Sequence, residues 1–287
     1  SKHDYSKLVY PQDIRRCVNC HAGTGTGVDR DDLVLTDQGD NWSEYSSAAV
    51  CGSCHDDVDF ESHAGGQPDD SSCASCHSTG GFAGSIAQSH RMLMEEARKA
   101  FKAEVLGVSS SMPGELPLVT FRVTNPLTQE DYDIFNDPVW TDANSSLNVK
   151  MSWNTMDYTN TGNQSTSNNS SSISASALTS AVDNGDGSYS VSMPIAIPDG
   201  SQAPGIAASG SGVATVEGHP AVDYMQEGTA SSVALTNAHG FFSIDEADGS
   251  PVARRDSVEL DKCLSCHGSL ILHGGNRSDS IQSCVTC

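Results

Sequence analysis

The sequence predicts a multidomain protein in which cysteine-rich segments, with little regular structure and some short helices, flank an all-β sandwich or split-barrel domain. Three observations predict this arrangement. Cysteines occur only towards the two ends, with none between Cys76 and Cys263. The interval between them contains short stretches in which apolar and polar residues alternate, which is typical of β-strands. The flanking segments are rich in Gly, Asp and Ser and carry too little apolar material for a core.

These changes in composition predict three domains, over residues 1–103, 104–250 and 251–287. Four alternating stretches of the middle domain predict strands: LVTFRVT (118–124), LNVKMSW (147–153), YSVSMPIAI (189–197) and SSVALTN (231–237). Asn184-Gly185 and Asp186-Gly187 favour a hairpin turn, and their acids lack the spacing of a calcium loop. The polar run 159–176 predicts an exposed loop. Before the middle domain, IAQSHRMLMEEARKAF predicts one helix with Ser89 as its N-cap.

All ten cysteines fall in C-x-x-C pairs, and four of the pairs are followed at once by histidine. Residues three apart share one face of a helical turn, so two such thiols can bond one haem while the next residue lies beneath the ring as an iron ligand. C-x-x-C-H is the signature of c-type haem attachment. The predicted attachment residues are Cys17, Cys20, Cys51, Cys54, Cys73, Cys76, Cys263, Cys266, Cys284 and Cys287, and the predicted proximal ligands are His21, His55, His77 and His267.

Two other uses of the cysteines stay open. Paired C-x-x-C motifs can hold zinc, but zinc does not require histidine after each second cysteine. Ten cysteines can also form five disulfides, but a disulfide framework does not produce one repeated pentapeptide. The last pair, Cys284 and Cys287, begins a fifth haem motif whose histidine would stand at position 288. We therefore expect five haem c sites, the fifth without its proximal histidine, and a longer parent chain.

The remaining histidines are candidates for the second axial position of the irons. His63 and His273 follow proximal histidines too closely to reach the opposite face of the same haem, so we expect each to reach a neighbouring one. His90 lies at a predicted helix start and is a third candidate distal ligand, and His3 and His239 are weaker ones. Two imidazoles on every iron would favour electron transfer over substrate binding at the metal. We also expect the haem segments not to fold without haem, because the porphyrins would supply their apolar core.

The strings YPQDIRRCVNCH (10–21), AAVCGSCHDDVDF (48–60), CASCH (73–77) and CLSCHGSLILHGGNRSDSIQSCVTC (263–287) resemble the decahaem outer-membrane c-type cytochromes of metal-reducing bacteria, the OmcA/MtrC group. That family alternates β-barrel domains with pentahaem domains. The resemblance implies that residues 1–103 hold the last three sites of one pentahaem domain, and residues 251–287 the first two of the next. A further β domain and five more haems would lie outside this sequence.

The resemblance implies a multihaem cytochrome that conducts electrons by haem-to-haem hopping to extracellular acceptors: metal oxides, metal chelates or flavins. It implies an outer-membrane electron conduit or other cytochromes as partners, and a position at the outer face of the outer membrane or outside the cell. It leaves open a terminal metal-reductase activity, without a separate catalytic site. The alternatives are a multihaem reductase with substrate at one open iron, and a haem-free adhesion module with zinc in its cysteine pairs. A conductive filament would be a variant of the first function.

Charge and hydropathy exclude some other classes. The formal net charge is −22, from 37 acidic and 15 basic residues, so nucleic acid, which is itself polyanionic, is not an expected partner. No run of 18 apolar residues is present, so we expect no transmembrane helix. The first residues show no signal-peptide pattern. Covalent haem is attached after export, so the targeting segment and any anchor would lie outside these residues.

Overall fold

The computed structural model describes residues 13–19, 21–23, 35–63, 69–155, 160, 173–202, 205–246, 249–265 and 267–286. The chain divides into two compact units. Unit 1 comprises Ser1–Met92 and Asp261–Gly268, and unit 2 comprises Leu93–Leu260 and Ser269–Cys287. The three predicted domains were defined by their expected haem sites, whereas the two units are defined by contacts within the chain. The domain division therefore stays a prediction. None of the described helices is both long and apolar enough to cross a bilayer.

Unit 1 is built from single helical turns joined by irregular chain. Its helices are α1 (Asn41–Glu44), α2 (Ala48–Cys51), α3 (Cys73–Cys76) and α4 (Ile86–Ser89). Short polar side chains start two of them: the hydroxyl of Ser47 accepts the amide of Val50, and that of Ser85 accepts the amide of Gln88. Such N-caps satisfy amides that a first turn leaves without partners. They explain how helices of four residues form in a segment with so little apolar content.

The single helix predicted over IAQSHRMLMEEARKAF is wrong in its extent. The structure has two helices there, α4 and then α5 (Leu93–Arg98). Ser89 is the last residue of α4 and not an N-cap, and Ser85 takes that role. His90 follows as the C-cap, and its amide donates to the carbonyl of Ile86. One helix therefore ends at the point where the sequence predicts that a helix begins.

Unit 2 contains the β domain and the other helices. The strands are β1 (Lys102–Ser109), β2 (Leu118–Asn125), β3 (Glu130–Asp131), β4 (Ser146–Trp153), β5 (Ile173–Ser176), β6 (Ala181–Asp183), β7 (Ser188–Ser192), β8 (Ser211–His219), β9 (Ala221–Val222), β10 (Ser231–Ser232), β11 (Ala238–Ser243), β12 (Ile271–Leu272) and β13 (Arg277–Ser278). The helices are α6 (Pro138–Thr141), α7 (Ala177–Ser180) and α9 (Ile281–Val285), and α8 (Leu260–Leu264) lies where the two units divide.

Two antiparallel sheets form a sandwich, which confirms the predicted fold class. One sheet has the order β1-β2-β7-β6, with β3 paired to β2, and the other has the order β11-β8-β4-β5. Alternate residues of β2 and β4 point into the space between the sheets, and Phe121, Met151 and Trp153 are completely buried there. Phe121 and Met151 thus act as the inward-facing positions of a period-two pattern.

The strand predictions differ in their success. Stretches 118–124 and 147–153 correspond to β2 and β4, and the Asn184-Gly185 turn joins β6 to β7 as predicted. The stretch 189–197 leaves the sheet after Ser192, shortly before Pro194, which has no amide to donate. In 231–237 only Ser231 and Ser232 form a strand. Of the predicted loop 159–176, residues 159 and 161–172 lie outside the described residues, whereas Ile173–Ser176 is strand β5.

Strand β8 ends at His219, whose imidazole is partly buried. The ring lies beside Gly275, where a Cβ atom would stand 3.5 Å from the Cδ2 atom of His219. The Nδ1 atom is buried and has no hydrogen-bond partner among the described residues. Burial lowers the pKa of His219 below its ordinary value of 6.5, because the charged form loses hydration that backbone hydrogen bonds at Asn144 and His219 replace only in part.

Replacement of Phe121 by Ala should reduce the free energy of unfolding of the sandwich by about 3–5 kcal/mol, since it leaves a cavity in the core. Urea unfolding followed by hydrogen exchange of β2 and β7 amides would measure this loss. Leu118→Ala is the matched control, because Leu118 is on the same strand but 36% exposed. An equal loss for both variants would contradict the assigned inward face of β2.

Acidification should destabilise unit 2 through His219. Since burial lowers the pKa of His219 in the folded state, the unfolded state binds the proton at higher pH. The stabilising contribution is complete above the unfolded pKa of 6.5 and is lost as the pH falls towards the folded pKa. The urea midpoint should therefore fall between about pH 7.5 and 5.5, and His219→Gln should make this fall smaller. Identical slopes for parent and variant would count against the role of His219.

Candidate haem-attachment sites

The four C-x-x-C-H motifs share one local geometry. In each, the amide of the histidine donates to the carbonyl of the first cysteine, four residues earlier. The distances are 2.8 Å for His21, 2.9 Å for His55, 3.0 Å for His77 and 2.9 Å for His267. This hydrogen bond closes one helical turn, which places residues three apart on the same side. The common turn is what attachment of two thiols to one flat ring requires.

Three of these motifs open into one cavity of unit 1, with a volume of about 1110 Å³. Such a volume lies at or above the upper end of the roughly 300–1,000 Å³ usual for ligand pockets. Apolar side chains such as Ile14, Val58 and Phe60 form part of its wall. The cysteines and histidines that line it are Cys17, His21, Cys51, Cys54, His55, His63, Cys73, Cys76, His77 and His90.

The protein atoms of unit 1 do not fill its interior. Of its described residues, only Ala22, Gly23 and Gly39 are buried. By contrast, every residue of the large hydrophobic cluster lies in unit 2. A large apolar group held in the cavity would supply the missing core, and the thiols and imidazoles on its wall are the groups that covalent haem needs. The residues present therefore fit haem c.

The second and third motifs contact each other through hydrogen bonds and charge. The carboxylate of Asp70, just before the third motif, accepts the amide of Ala48 in α2 at 2.7 Å. Desolvation raises the pKa of the Cys73 thiol, and the nearby charges of Asp70 and Cys51 raise it further. The first motif is tied in by Trp42, whose indole donates to the carbonyl of His21 at 3.0 Å.

His90 faces His55 of the second motif. Their ring centroids are 6.1 Å apart with an interplanar angle of 75°. The Nδ1 atom of His90 lies 2.7 Å from the carbonyl of Ile86. Because a carbonyl can only accept, Nδ1 carries the proton and Nε2 keeps the lone pair. A hydrogen bond of this kind fixes the orientation of a metal-binding imidazole.

His63 faces His77 of the third motif. Their ring centroids are 6.0 Å apart and the rings are nearly parallel, at 19°. Phe60 also lies near His63, with ring centroids 6.5 Å apart. Thus two of the three stronger distal candidates, His63 and His90, each lie opposite a proximal histidine of a different motif.

The fourth and fifth motifs lie in different units. Cys263 and His267 belong to unit 1, where a side chain at Gly268 would overlap the guanidinium of Arg16. Cys284 belongs to unit 2, in α9, and burial raises the pKa of its thiol. Among the described residues, no group of three His, Cys, Asp or Glu side chains is placed to hold a metal ion.

The other predicted ligands have separate positions. His273 is exposed in the turn His273–Gly275 and has a left-handed backbone, with φ of 53°. His239 is exposed on β11 with its ring against Phe241, and desolvation lowers its pKa. Neither is placed beside a described proximal histidine. His3, Cys20, Cys266 and Cys287 lie outside the described residues.

Two groups of charged residues in unit 2 were missed by the sequence analysis. Glu217 of β8 forms ion pairs with Lys150 and Arg277, and Arg98 forms ion pairs with Glu95 and Asp279. No local pattern marks these residues, because the partners stand up to 181 positions apart in the chain.

Comparison with known proteins agrees with the sequence resemblance. Residues 1–91 match the family model described as outer membrane cytochrome MtrC/MtrF-like, domains II/IV. No curated protein matches. The crystal structure of MtrC from Shewanella baltica OS185 has a TM-score of 0.58 and 18% sequence identity, covering 96% of this chain and 53% of that one.

The crystal structure of the outer membrane decaheme cytochrome OmcA has a TM-score of 0.53 and 16% identity, covering 99% of this chain and 40% of OmcA. The chain therefore spans about half the length of the first structure and less of the second. The expected resemblance to the OmcA/MtrC group is confirmed: residues 1–91 match the model of its MtrC/MtrF-like domains II/IV, and the chain as a whole has the fold of its crystal structures.

Proposed function

We propose that this chain is part of a multihaem c-type cytochrome that conducts electrons between closely spaced haems to extracellular acceptors. The single observation that carries the proposal is the cavity of unit 1, into which three C-x-x-C-H turns open together. When bound there, haem iron would supply a one-electron redox couple. Attachment sites that share one cavity keep their cofactors close, which is what passage of electrons from one to the next requires.

The chain's own residues would hold each haem at both faces. The paired cysteines would form the covalent links, and His21, His55, His77 and His267 would be the proximal ligands. The fifth site, at Cys284 and Cys287, completes the five expected in these residues. The domain division 1–103, 104–250 and 251–287 is part of the same proposal, since it assigns three sites to the first segment and two to the last.

The ring geometry supports a specific pairing of distal ligands. Two histidines that hold one haem iron must lie close to each other. The ring centroids of the pairs His55–His90 and His63–His77 are 6.1 Å and 6.0 Å apart. His90 would then serve the haem of the second motif, and His63 that of the third. His63 follows the second motif in the chain, and His90 follows the third. Each of the two haem sites would therefore supply a ligand to the other. His273, His239 and His3 stay candidates for the remaining irons.

Partners and location follow from the relatives, which are outer-membrane cytochromes. We infer a position at the outer face of the outer membrane or outside the cell, with an electron conduit or other cytochromes as donors. The acceptors would be metal oxides, metal chelates or flavins. A net charge of −22 favours cationic and metal-containing acceptors. Irons closed by two imidazoles favour this function over a reductase with substrate bound at the metal.

The proposal can be tested on the exported chain. Its intact mass should exceed that of the polypeptide by several haems, and the reduced protein should be reoxidised rapidly by a soluble Fe(III) chelate in stopped-flow absorbance. Cys73→Ser with Cys76→Ser should lower the mass by one haem, because the third site loses both links. A mass equal to the bare polypeptide would contradict haem attachment. Full haem content without reoxidation would contradict conduction to such acceptors.

Substitution of His90 should open one iron. We expect His90→Ala to convert one haem from low-spin to high-spin in the ferric electron paramagnetic resonance spectrum, because the site facing His55 loses its second imidazole. Gln88→Ala, at an exposed position of the same helix, is the control and should leave the spectrum unchanged. An unchanged spectrum for His90→Ala would disprove the pairing.

A further inference from the structure

The outer face of the β4–β8 pair is covered by the C-terminal segment Ser269–Thr286. On this face Ser152, Val213 and Thr215 are completely buried, although the core lies on the opposite face. Helix α9 contacts both β8 and β11, and β13 contacts β8. This segment carries Cys284, so an attachment site for haem rests directly on the sandwich.

The contact is centred on Glu217. Its two carboxylate oxygens bind different cations: Oε1 lies 2.9 Å from Nζ of Lys150, and Oε2 lies 2.9 Å from Nε of Arg277. The side chains of Glu217 and Arg277 are each 3% exposed. A buried charge without its partner is strongly unfavourable. The ion pair with Glu217 therefore holds Arg277 on β8, because its loss would leave two buried charges without partners.

Asp279, two residues further on, forms a second ionic contact. Its Oδ2 atom lies 2.6 Å from Nη2 of Arg98, and its Oδ1 atom accepts the amide of Leu270 at 2.8 Å. Arg98 in turn donates through Nε to the carbonyl of Ala234 at 2.9 Å. Asp279 adopts a left-handed backbone, with φ of 50°, which Asp tolerates better than most residues. The two oxygens of Asp279 thus fix the turn before α9, one through Arg98 and the other through the amide of Leu270.

Neutral hydrogen bonds complete the contact. The amide of Gly218 donates to the carbonyl of Asn276 at 3.1 Å, and Ser152 Oγ donates to the carbonyl of Thr286 at 3.0 Å. Ser278 Oγ donates to the carbonyl of Leu235. In Arg277–Thr286, the side chains of Arg277, Ser278, Ser280, Gln282, Ser283 and Thr286 are buried.

We propose that the outer face of the sandwich is a template that orders the attachment segment Arg277–Thr286 before haem is bound, with Glu217 as its positioning residue. The proposal rests on the proposed function in one respect, that Cys284 is a haem-attachment site. It differs from the expectation that every haem segment needs haem to fold, because protein contacts bury Arg277–Thr286 on the sandwich, whereas unit 1 buries only three of its described residues.

Hydrogen exchange of the full chain with mass-spectrometric readout tests the template. In Cys284→Ser with Cys287→Ser, which cannot attach haem at this site, amides of 277–286 should keep their protection within about twofold. In the matched variant Cys73→Ser with Cys76→Ser, amides of 70–77 should exchange at least about tenfold faster. Loss of protection at 277–286 in the first variant would overturn the proposal.

The role of Glu217 is tested by Glu217→Gln, with the exposed Glu104→Gln of β1 as control. Glu217→Gln should speed exchange of 277–286 at least about tenfold while β2 stays protected, and should shift the spectrum of only the haem at Cys284. If β2 also loses protection, Ser152→Ala decides the matter, since it removes an uncharged contact to the same segment and should speed exchange in α9 alone. Unchanged exchange in both variants would overturn the template.

Haem content separates this inference from the proposed function. A chain without covalent haem but with 277–286 protected would keep the template and contradict the cytochrome. Haem in the parent chain, together with loss of protection at 277–286 in the variant Cys284→Ser with Cys287→Ser, would support the cytochrome and contradict the template.

Discussion

The hydrogen bond from each motif histidine to the carbonyl of the first cysteine is the interaction on which the rest of unit 1 depends. It converts C-x-x-C-H from a spacing in the sequence into one helical turn, and residues three apart share one face of such a turn. The bond recurs in four motifs whose neighbouring residues differ. Short N-caps at Ser47 and Ser85 extend the same principle to the adjoining turns. Local hydrogen bonds thus supply the order that apolar packing supplies elsewhere.

The two units obtain their interiors in different ways. The sandwich buries Phe121, Met151 and Trp153 between two sheets, so side chains alone form its core. Unit 1 leaves a cavity of about 1110 Å³ where a core would be. The cysteines and histidines on the cavity wall bring the covalent and coordinate bonds that would hold a large apolar cofactor. The segment that carries Cys284 belongs to a third class, since polar and charged contacts bury it against a finished sheet.

The sequence predicts those features that depend on local spacing. The C-x-x-C-H turns, the alternation in β2 and β4, and the hairpin at Asn184-Gly185 follow from residues close together in the chain. The burial of β8 on both faces cannot be predicted in this way. Its second face is covered by residues about 60 positions later in the chain, as the ion pair of Glu217 with Arg277 shows. The end of α4 at His90 is also not visible in a helical pattern. The facing of His90 and His55 depends on tertiary packing, so the sequence gives the candidates but not the pairs.

The break between α4 and α5 has a consequence for how this part of the chain can vary. Residues 86–98 have a composition that suits a continuous helix, and substitutions favouring one would gain hydrogen bonds across Arg91 and Met92. The imidazole of His90 reaches His55 from the terminal turn, with its ring held by the carbonyl of Ile86. A continuous helix would re-aim that ring. Joining the two helices at this short junction would therefore sacrifice the contact between the two rings.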